Sequence, residues 1–171
     1  YMDQVTTFME DQLASTKRYP KDKILTKTMI NNYAKNNLLP SPEKKRYYKE
    51  HLLMLIFIYY FKNILSISDI QTLLKPITDK YFKGEPGKDM TYVYNEVFGM
   101  ENSKIDQLIK NLLKDYRFSS TTFQDADEED QEFLKRFSFI CLMSFDVYIK
   151  KMIIERMIDD ISAKEDDKKS K

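Results

Sequence analysis

Apolar residues recur at intervals of three or four positions along most of this chain, which is the spacing of helices that bury one face. The first such stripe consists of Val5, Phe8, Met9 and Leu13. It predicts a helix over Met2–Leu13. Thr26 is a good N-cap residue and predicts the start of a second helix, which extends to about Asn36. Asn37 then tolerates the left-handed backbone conformation that ends many helices.

The centre of the chain is almost continuously apolar between Lys49 and Leu65. This stretch is too long for an ordinary strand and too apolar for a surface helix, so it predicts a central helix that is nearly enclosed. Ser66 and Asp69 then have the spacing of a capping box. They predict a further helix over residues 67–74, which Pro76 disturbs or ends because proline lacks a backbone N–H.

Residues 83–88 (KGEPGK) contain two of the three glycines and form the clearest break in the helical pattern. We place a boundary there, between an N-terminal module at 1–82 and a helical module at 83–171. Within the second module, the apolar spacing predicts one helix over 90–98 and another over 104–116.

The last apolar pattern predicts a long final helix, from about Asp125 to about Ile161, with a length of roughly 50 Å. Its apolar residues cover too wide a surface for a single seam. We therefore expect one part of that surface to cover the chain's own core and another part to meet a partner helix. The sequence thus predicts a homodimer that forms through the C-terminal helices.

The composition favours an all-α fold with no more than a minimal β wing. The 171 residues include only three glycines and five prolines, and strand-rich folds need many turn residues. The single cysteine, Cys141, excludes an internal disulfide framework and favours a reducing, cytoplasmic location. The longest apolar run, Phe137–Ile149, is too short to span a membrane and includes Asp146.

Charge is distributed unevenly, although the whole chain carries a net charge of only +1. Residues 16–62 hold eleven Lys or Arg and three Asp or Glu, a net charge of +8, which leaves −7 on the remainder. Such asymmetry is typical of a surface that faces a polyanion. Within this part, residues 40–48 (PSPEKKRYY) place two prolines before a basic run and two tyrosines, and predict a short two-strand wing or a rigid loop.

These features resemble the DNA-binding domain of MerR-type winged helix-turn-helix regulators. That family has a Ser/Thr cap, the pattern T-[LI]-R-Y-Y-E-x-x-G-L-L-P, a basic wing, R-Y-Y, and an apolar helix that leads into a Ser-capped helix. The matching positions here are Thr26, Ile30, Tyr33, Leu38, Leu39, Pro40, Arg46, Tyr47, Tyr48, Leu52, Leu55, Ile56, Ser66, Asp69 and Ile70. Most of the chain is also similar to a bacterial group of unknown function built on this domain, the YkrK-like proteins.

The resemblance implies a transcriptional regulator that binds double-stranded DNA as a homodimer. Residues 1–82 would then be the winged helix-turn-helix DNA-binding module, and residues 83–171 the dimerisation or effector module. Its reading face would be the exposed side of the second helix, where carboxamides match the donor and acceptor of adenine. The basic stretch after Pro40 would hold the neighbouring backbone or minor groove and set the register. The predicted DNA-binding residues are Lys27, Thr28, Asn31, Asn32, Lys35, Lys44, Lys45, Arg46 and Tyr47.

Two other functions stay open. The family's arginine is replaced by Asn31 and its first tyrosine by Asn32, which favours a protein-interaction module that kept the winged fold and lost DNA binding. A third hypothesis is a sensor that holds an unknown small-molecule effector among the C-terminal helices. The sequence has no phosphate-cradling glycine loop, nucleophile elbow or second histidine, so we expect neither an enzyme nor a bound cofactor or metal.

Two single residues allow a functional or a structural interpretation. His51 is the only histidine and follows the paired tyrosines at a predicted helix start. It is either a pH-sensitive contact or a structural polar residue. Cys141 is either a redox or metal sensor or a buried small hydrophobe, and its apolar surroundings favour the second interpretation.

Overall fold

The computed structural model describes residues 1–170, apart from the side chain of Asn102. Within that range the regular secondary structure is entirely helical, which confirms the predicted all-α class. The helices are α1 (Met2–Leu13), α2 (Lys27–Lys35), α3 (Lys49–Phe61), α4 (Ile67–Tyr81), α5 (Met90–Ser119) and α6 (Glu128–Lys169). A short 3-10 helix at Ala14–Thr16 extends α1.

Side-chain caps fix the starts of α2 and α4 at the predicted residues. The Thr26 hydroxyl accepts the backbone N–H of Met29 at 3.2 Å. At α4, the Ser66 hydroxyl accepts the N–H of Asp69 at 3.1 Å, and the Asp69 carboxylate accepts the N–H of Ser66 at 3.4 Å. Asn37 adopts a positive φ of 55° and ends α2, because asparagine tolerates this conformation better than most residues.

The helix α3 is the centre of the core, as its sequence predicts. All residues from Leu53 to Tyr59 are buried, so α3 is enclosed on nearly every side. α1 packs against both α2 and α3. Fully buried side chains from the other elements surround it: Met9, Ile24, Ile30, Leu38, Leu39, Ile70 and Met90.

The prediction that Pro76 ends α4 is wrong, because α4 continues to Tyr81. Pro76 removes one backbone hydrogen bond from the helix interior. Packing on both sides of the proline compensates for that loss. Leu74 is buried before it, and Thr78 after it donates to the Leu74 carbonyl at 3.0 Å and contacts the Met54 sulfur at 3.9 Å.

The chain divides into two compact units. The first comprises Tyr1–Glu96 together with the end of the chain from Ile158, and the second comprises Val97–Met157. These units do not coincide with the modules predicted at 1–82 and 83–171. The difference arises because Met90 and Ile158 are buried residues of the first unit, with exposed fractions of 0% and 3%.

The two predicted helices over 90–98 and 104–116 form one continuous helix, α5, so that prediction is wrong. The residues between them include Gly99, which costs a helix interior about 1 kcal/mol and does not by itself break it. α6 is also longer than predicted at its C-terminal end, where it reaches Lys169. The break predicted at residues 83–88 is present, and Gly87 lies there at a φ of 83°.

Candidate nucleic-acid interface

One face of α2 is exposed and carries the predicted reading residues. All five side chains on it are exposed: Lys27, Thr28, Asn31, Asn32 and Lys35. Their spacing of three and four positions places them along one side of the helix. On the opposite side Ile30 and Tyr33 are buried, and burial raises the pKa of the Tyr33 hydroxyl. The inner face therefore anchors α2 while the outer face is presented to solvent.

The polar groups on this face are available for a ligand. In the described part of the chain, the side-chain amides of Asn31 and Asn32 have no hydrogen-bond partner. Lys27 forms an ion pair with Asp3, and both side chains are largely exposed, so the pair adds little stability. The nine residues of α2 give a length of roughly 13 Å, or two and a half turns.

The basic stretch after Pro40 forms a two-residue turn. Lys44 and Lys45 both adopt positive φ, at 49° and 64°, and the N–H of Arg46 donates to the carbonyl of Glu43 at 2.9 Å. This geometry is that of a type I′ hairpin turn. Glu43 and Arg46 form a single antiparallel bridge, which is the only β pairing among residues 1–170. We call residues 43–46 the basic hairpin.

The basic hairpin presents its cations without intramolecular partners. The side chains of Lys44, Lys45 and Arg46 are exposed, and within residues 1–170 none of them forms an ion pair. Lysine at positive φ is strained by roughly 1–2 kcal/mol for each residue relative to glycine. The turn therefore keeps two lysines at its tip at a cost in stability, since Asn-Gly would be the more stable sequence there.

Packing around His51 fixes the chain that leaves the hairpin. The imidazole is only 2% exposed, and its Nδ1 accepts the N–H of Tyr48 at 3.0 Å. The rings of Tyr47 and Phe82 pack edge-on against it, with centroid distances of 5.3 and 4.8 Å. Tyr47 is thus partly buried and packs against His51, and its predicted contact with DNA stays a prediction. His51 has the structural position that was one of its two interpretations.

The reading face and the basic hairpin belong to the same compact unit. Only eight residues separate Lys35 from Lys44, so their Cα atoms lie at most about 32 Å apart. Leu38 and Leu39, each 1% exposed, anchor the intervening segment in the core. The exposed face of α2 and the basic hairpin are therefore anchored to the same buried core.

The connector between α1 and α2 is more ordered than its polar sequence indicates. Glu10 forms an ion pair with Lys17 and accepts the N–H of Ile24 at 3.3 Å. Ile24 and Leu25 are buried and anchor the connector in the core. This pair of adjacent apolar residues is the feature of the sequence from which the anchor could have been predicted. The connector also exposes three cations that were not among the predicted contacts: Arg18, Lys21 and Lys23.

The strained turn gives a testable prediction about stability. Replacing Lys44 by Asn and Lys45 by Gly should raise the free energy of unfolding by about 1 kcal/mol or more, because both new residues tolerate positive φ. Urea unfolding of the two proteins measures the difference. The matched control is Lys44→Ala/Lys45→Ala, which removes the same charges and keeps the strain. Equal stability of the two variants would contradict the prediction.

His51 gives a second prediction, about pH. Burial lowers the pKa of His51 below its ordinary value of 6.5. Backbone hydrogen bonds with Ser41 and Pro40 raise this pKa, as do the negative charges of Glu50 and Glu43. Together they offset only part of the decrease that burial causes. Because the unfolded chain binds the proton more readily, the stability due to neutral His51 is complete above about pH 6.5 and is lost as the pH falls below it. A protonated ring also cannot accept the Tyr48 N–H.

Urea midpoints measured between about pH 8 and about pH 5 should therefore fall toward the acid side. The control is His51→Gln, since glutamine is a usual capping-box residue at this helix position and does not titrate. Its unfolding should depend less on pH across this window. An equally steep fall in both proteins would assign the effect to other groups.

No helix within residues 1–170 is both long and apolar enough to cross a membrane. In the same range, no group of three or more His, Cys, Asp or Glu side chains is arranged to hold a metal ion.

The structure thus defines an all-helical protein whose first unit combines an exposed polar helix face with a basic hairpin. Residues 1–97 match the family described as "Domain of unknown function (DUF1836)", and the chain belongs to that family. The match ends almost where the continuous part of the first unit ends, at Glu96. Comparison with curated proteins gives no match, and comparison with solved structures gives none either. The likeness to MerR-type regulators stays a prediction.

Proposed function

We propose that this chain is a transcriptional regulator that binds double-stranded DNA as a homodimer. The observation that carries the proposal is the basic hairpin. Backbone strain is retained mainly at functional sites. The strained residues here are Lys44 and Lys45, whose side chains extend into solvent without intramolecular partners. A loop that only connected two helices would be more stable with Asn and Gly at those positions.

In this proposal, α2 enters the major groove with its exposed face toward the bases. The carboxamides of Asn31 and Asn32 each offer a donor and an acceptor, which match the edge of adenine. Lys27, Thr28 and Lys35 contact phosphates or base edges beside them. Lys44, Lys45 and Arg46 hold the neighbouring backbone, so they contribute affinity and register more than sequence preference.

The packing within the first unit supports a helix-turn-helix arrangement of the MerR type. α1 packs against α2, as the two helices of such a motif must, and the anchored connector joins them. α2 is then followed by a turn at Asn37, a minimal basic wing and the buried helix α3. The hairpin is shorter than the wing of that family and reaches less far along the DNA.

The second unit supports the homodimer. In Val97–Met157, leaving Asn102 aside, Ser119 is the only buried residue. A compact unit without one buried apolar side chain lacks a core of its own. Its helices nevertheless expose large apolar residues by about half their surface or more: Leu108, Ile109, Leu113, Tyr116, Phe133, Phe137, Ile140, Phe145 and Tyr148.

A second copy of the chain is the partner that fits this surface. A groove of about 420 Å³ runs along the unit and is lined only by apolar residues: Ile109, Leu112, Leu113, Tyr116, Phe139 and Met143. Each half-exposed side chain offers roughly 100 Å², so the nine named above offer on the order of 900 Å² per copy, which is the size of a standard interface. Two-fold pairing would place α2 of each copy in one of two successive turns of the major groove, at a pseudo-palindromic site.

Titration of the chain with a random-sequence DNA duplex tests the proposed function. Fluorescence anisotropy should show binding that weakens by about 1,000-fold between about 50 and about 200 mM salt, if six or more phosphates are contacted. Selection from a random duplex pool then tests whether one sequence is preferred. Absence of binding at the lowest salt would instead support a protein-interaction module on the same scaffold.

A further inference from the structure

We propose that the connector between α1 and α2 is a second phosphate-binding element, which holds the DNA backbone beside the N-terminal end of α2. The inference rests on the proposed function and adds residues that the resemblance did not assign. We call Arg18, Lys21 and Lys23 the connector cations. Their side chains are exposed, and none of them forms an ion pair within residues 1–170. Residues 17–23 carry four cations and one carboxylate, a net charge of +3.

A tight turn at the centre of the connector is fixed by its own hydrogen bonds. The N–H of Asp22 donates to the carbonyl of Tyr19 at 3.0 Å, and the Asp22 carboxylate accepts the N–H of Tyr19 at 3.1 Å. Pro20 occupies the second position of this turn, where its restricted φ is favourable. The one carboxylate of the connector therefore stabilises the turn, and Lys21 lies at the exposed tip.

Both ends of the connector are attached to the core. Before the turn, the Thr16 hydroxyl forms a hydrogen bond with the Tyr59 hydroxyl of α3. After the turn, the Ile24 side chain is only 2% exposed, and its N–H donates to the Glu10 carboxylate of α1. Because this backbone is already ordered, the connector cations would bind phosphates without the entropy cost of ordering a loop.

The connector leads directly into the proposed reading helix. Lys23 lies three residues before the N-cap Thr26, and Lys23, Thr26 and Lys27 line one groove at the start of α2. Glu10 and Asp11 of α1 line the same groove, so the groove itself has little net charge. We therefore expect the phosphates to contact the exposed side of the connector, outside the groove.

Cations before and after α2 can hold both strands of the duplex. A helix in the major groove lies between two sugar-phosphate backbones. The connector precedes α2 in the chain and the basic hairpin follows it, so the two sets of cations flank the reading helix in sequence. Phosphate contacts fix the orientation and register of a reading helix. We assign one backbone to the connector cations and the other to the basic hairpin.

The test compares the full wild-type chain with Arg18→Gln/Lys21→Gln/Lys23→Gln, using fluorescence anisotropy with a random-sequence duplex. The three side chains are exposed, so the variant should keep the wild-type urea midpoint. Its affinity should fall by about 100-fold near physiological salt. The slope of log affinity against log salt should fall by about 2.7, since each lost phosphate contact removes about 0.9.

The matched control is Lys164→Gln/Lys168→Gln/Lys169→Gln, which removes the same charge from exposed positions near the end of α6. It should keep the wild-type slope, and equal losses in both variants would reduce the effect to net charge. If the wild type binds DNA and the connector variant keeps its slope, the connector inference is wrong and the proposed function stands. If the wild type does not bind duplex DNA at the lowest salt, the proposed function itself fails.

Single neutral phosphates separate the two backbones. In a duplex recovered by selection, a methylphosphonate at one position at a time removes one phosphate charge. The positions at which the wild type loses affinity should form two groups, and the connector variant should be insensitive to only one of them. The variant Lys44→Ala/Lys45→Ala/Arg46→Ala should be insensitive to the other group. If both variants are insensitive to the same group, the connector does not hold a backbone of its own.

Discussion

Replacing Lys44, Lys45 and Arg46 together by alanine should weaken binding to duplex DNA by about 100-fold near physiological salt, if each cation neutralises one phosphate. The three side chains are exposed and unpaired within residues 1–170, so their removal leaves no buried group without a partner. The slope of log affinity against log salt should fall by about 2.7, since each lost phosphate contact removes about 0.9. Fluorescence anisotropy at several salt concentrations measures both quantities.

A matched charge change elsewhere separates the hairpin from net charge. Lys164→Ala/Lys168→Ala/Lys169→Ala also removes three positive charges, from exposed positions near the end of α6. This control should retain the wild-type salt slope. If both triple variants lose affinity equally, the hairpin has no specific role. If neither loses any, the basic hairpin does not contact DNA.

Local signals in the sequence predict the first unit well. Thr26, Ser66 and Asp69 act through residues three positions away, and Asn37 acts through its own backbone conformation. Each of these effects is short-range, so the sequence pattern contains all the information needed. The continuous apolar character of α3 is equally direct, because a helix that is apolar on every side must be enclosed.

The errors arise where distant contacts decide the structure. Pro76 and Gly99 are helix breakers by local propensity, yet both lie inside helices. Around Pro76, the contact of Thr78 with Met54 of α3 supports the helix, and no local pattern reveals a contact across 24 positions. The boundary between the units depends in the same way on the burial of Met90 and Ile158.

The candidate site was predictable in part. The exposed face of α2 follows directly from its helical period, so all five of its predicted residues lie where the pattern places them. The packing of Tyr47 against His51 did not follow, because it depends on the burial of His51 and the approach of Phe82 from the end of α4. The positive φ of Lys44 and Lys45 also has no local signal, since lysine is not a residue that favours it.

Charges placed in the apolar groove of the second unit should separate the proposed dimer. Ile109 and Leu113 line that groove with exposed fractions of 50% and 52%. Two-fold symmetry would bury each residue twice. The dimer therefore contains four of these half-exposed side chains, and each should contribute about 1 kcal/mol to the free energy of association. Ile109→Lys/Leu113→Lys removes all four contributions and should weaken dimerisation by about 1,000-fold. Sedimentation equilibrium of the full chain measures the dissociation constant.

The same helix supplies the control, because Gln107→Lys/Asn111→Lys adds the same residues at the same spacing on polar positions. This control should remain dimeric with unchanged DNA affinity. The groove variant should keep its helical content by circular dichroism, since α5 gains only good helix formers. It should also lose at least about 100-fold in affinity for a two-fold site, because one reading helix no longer brings the other to the DNA. A wild-type chain that sediments as a monomer would refute the dimer, whatever the variants do.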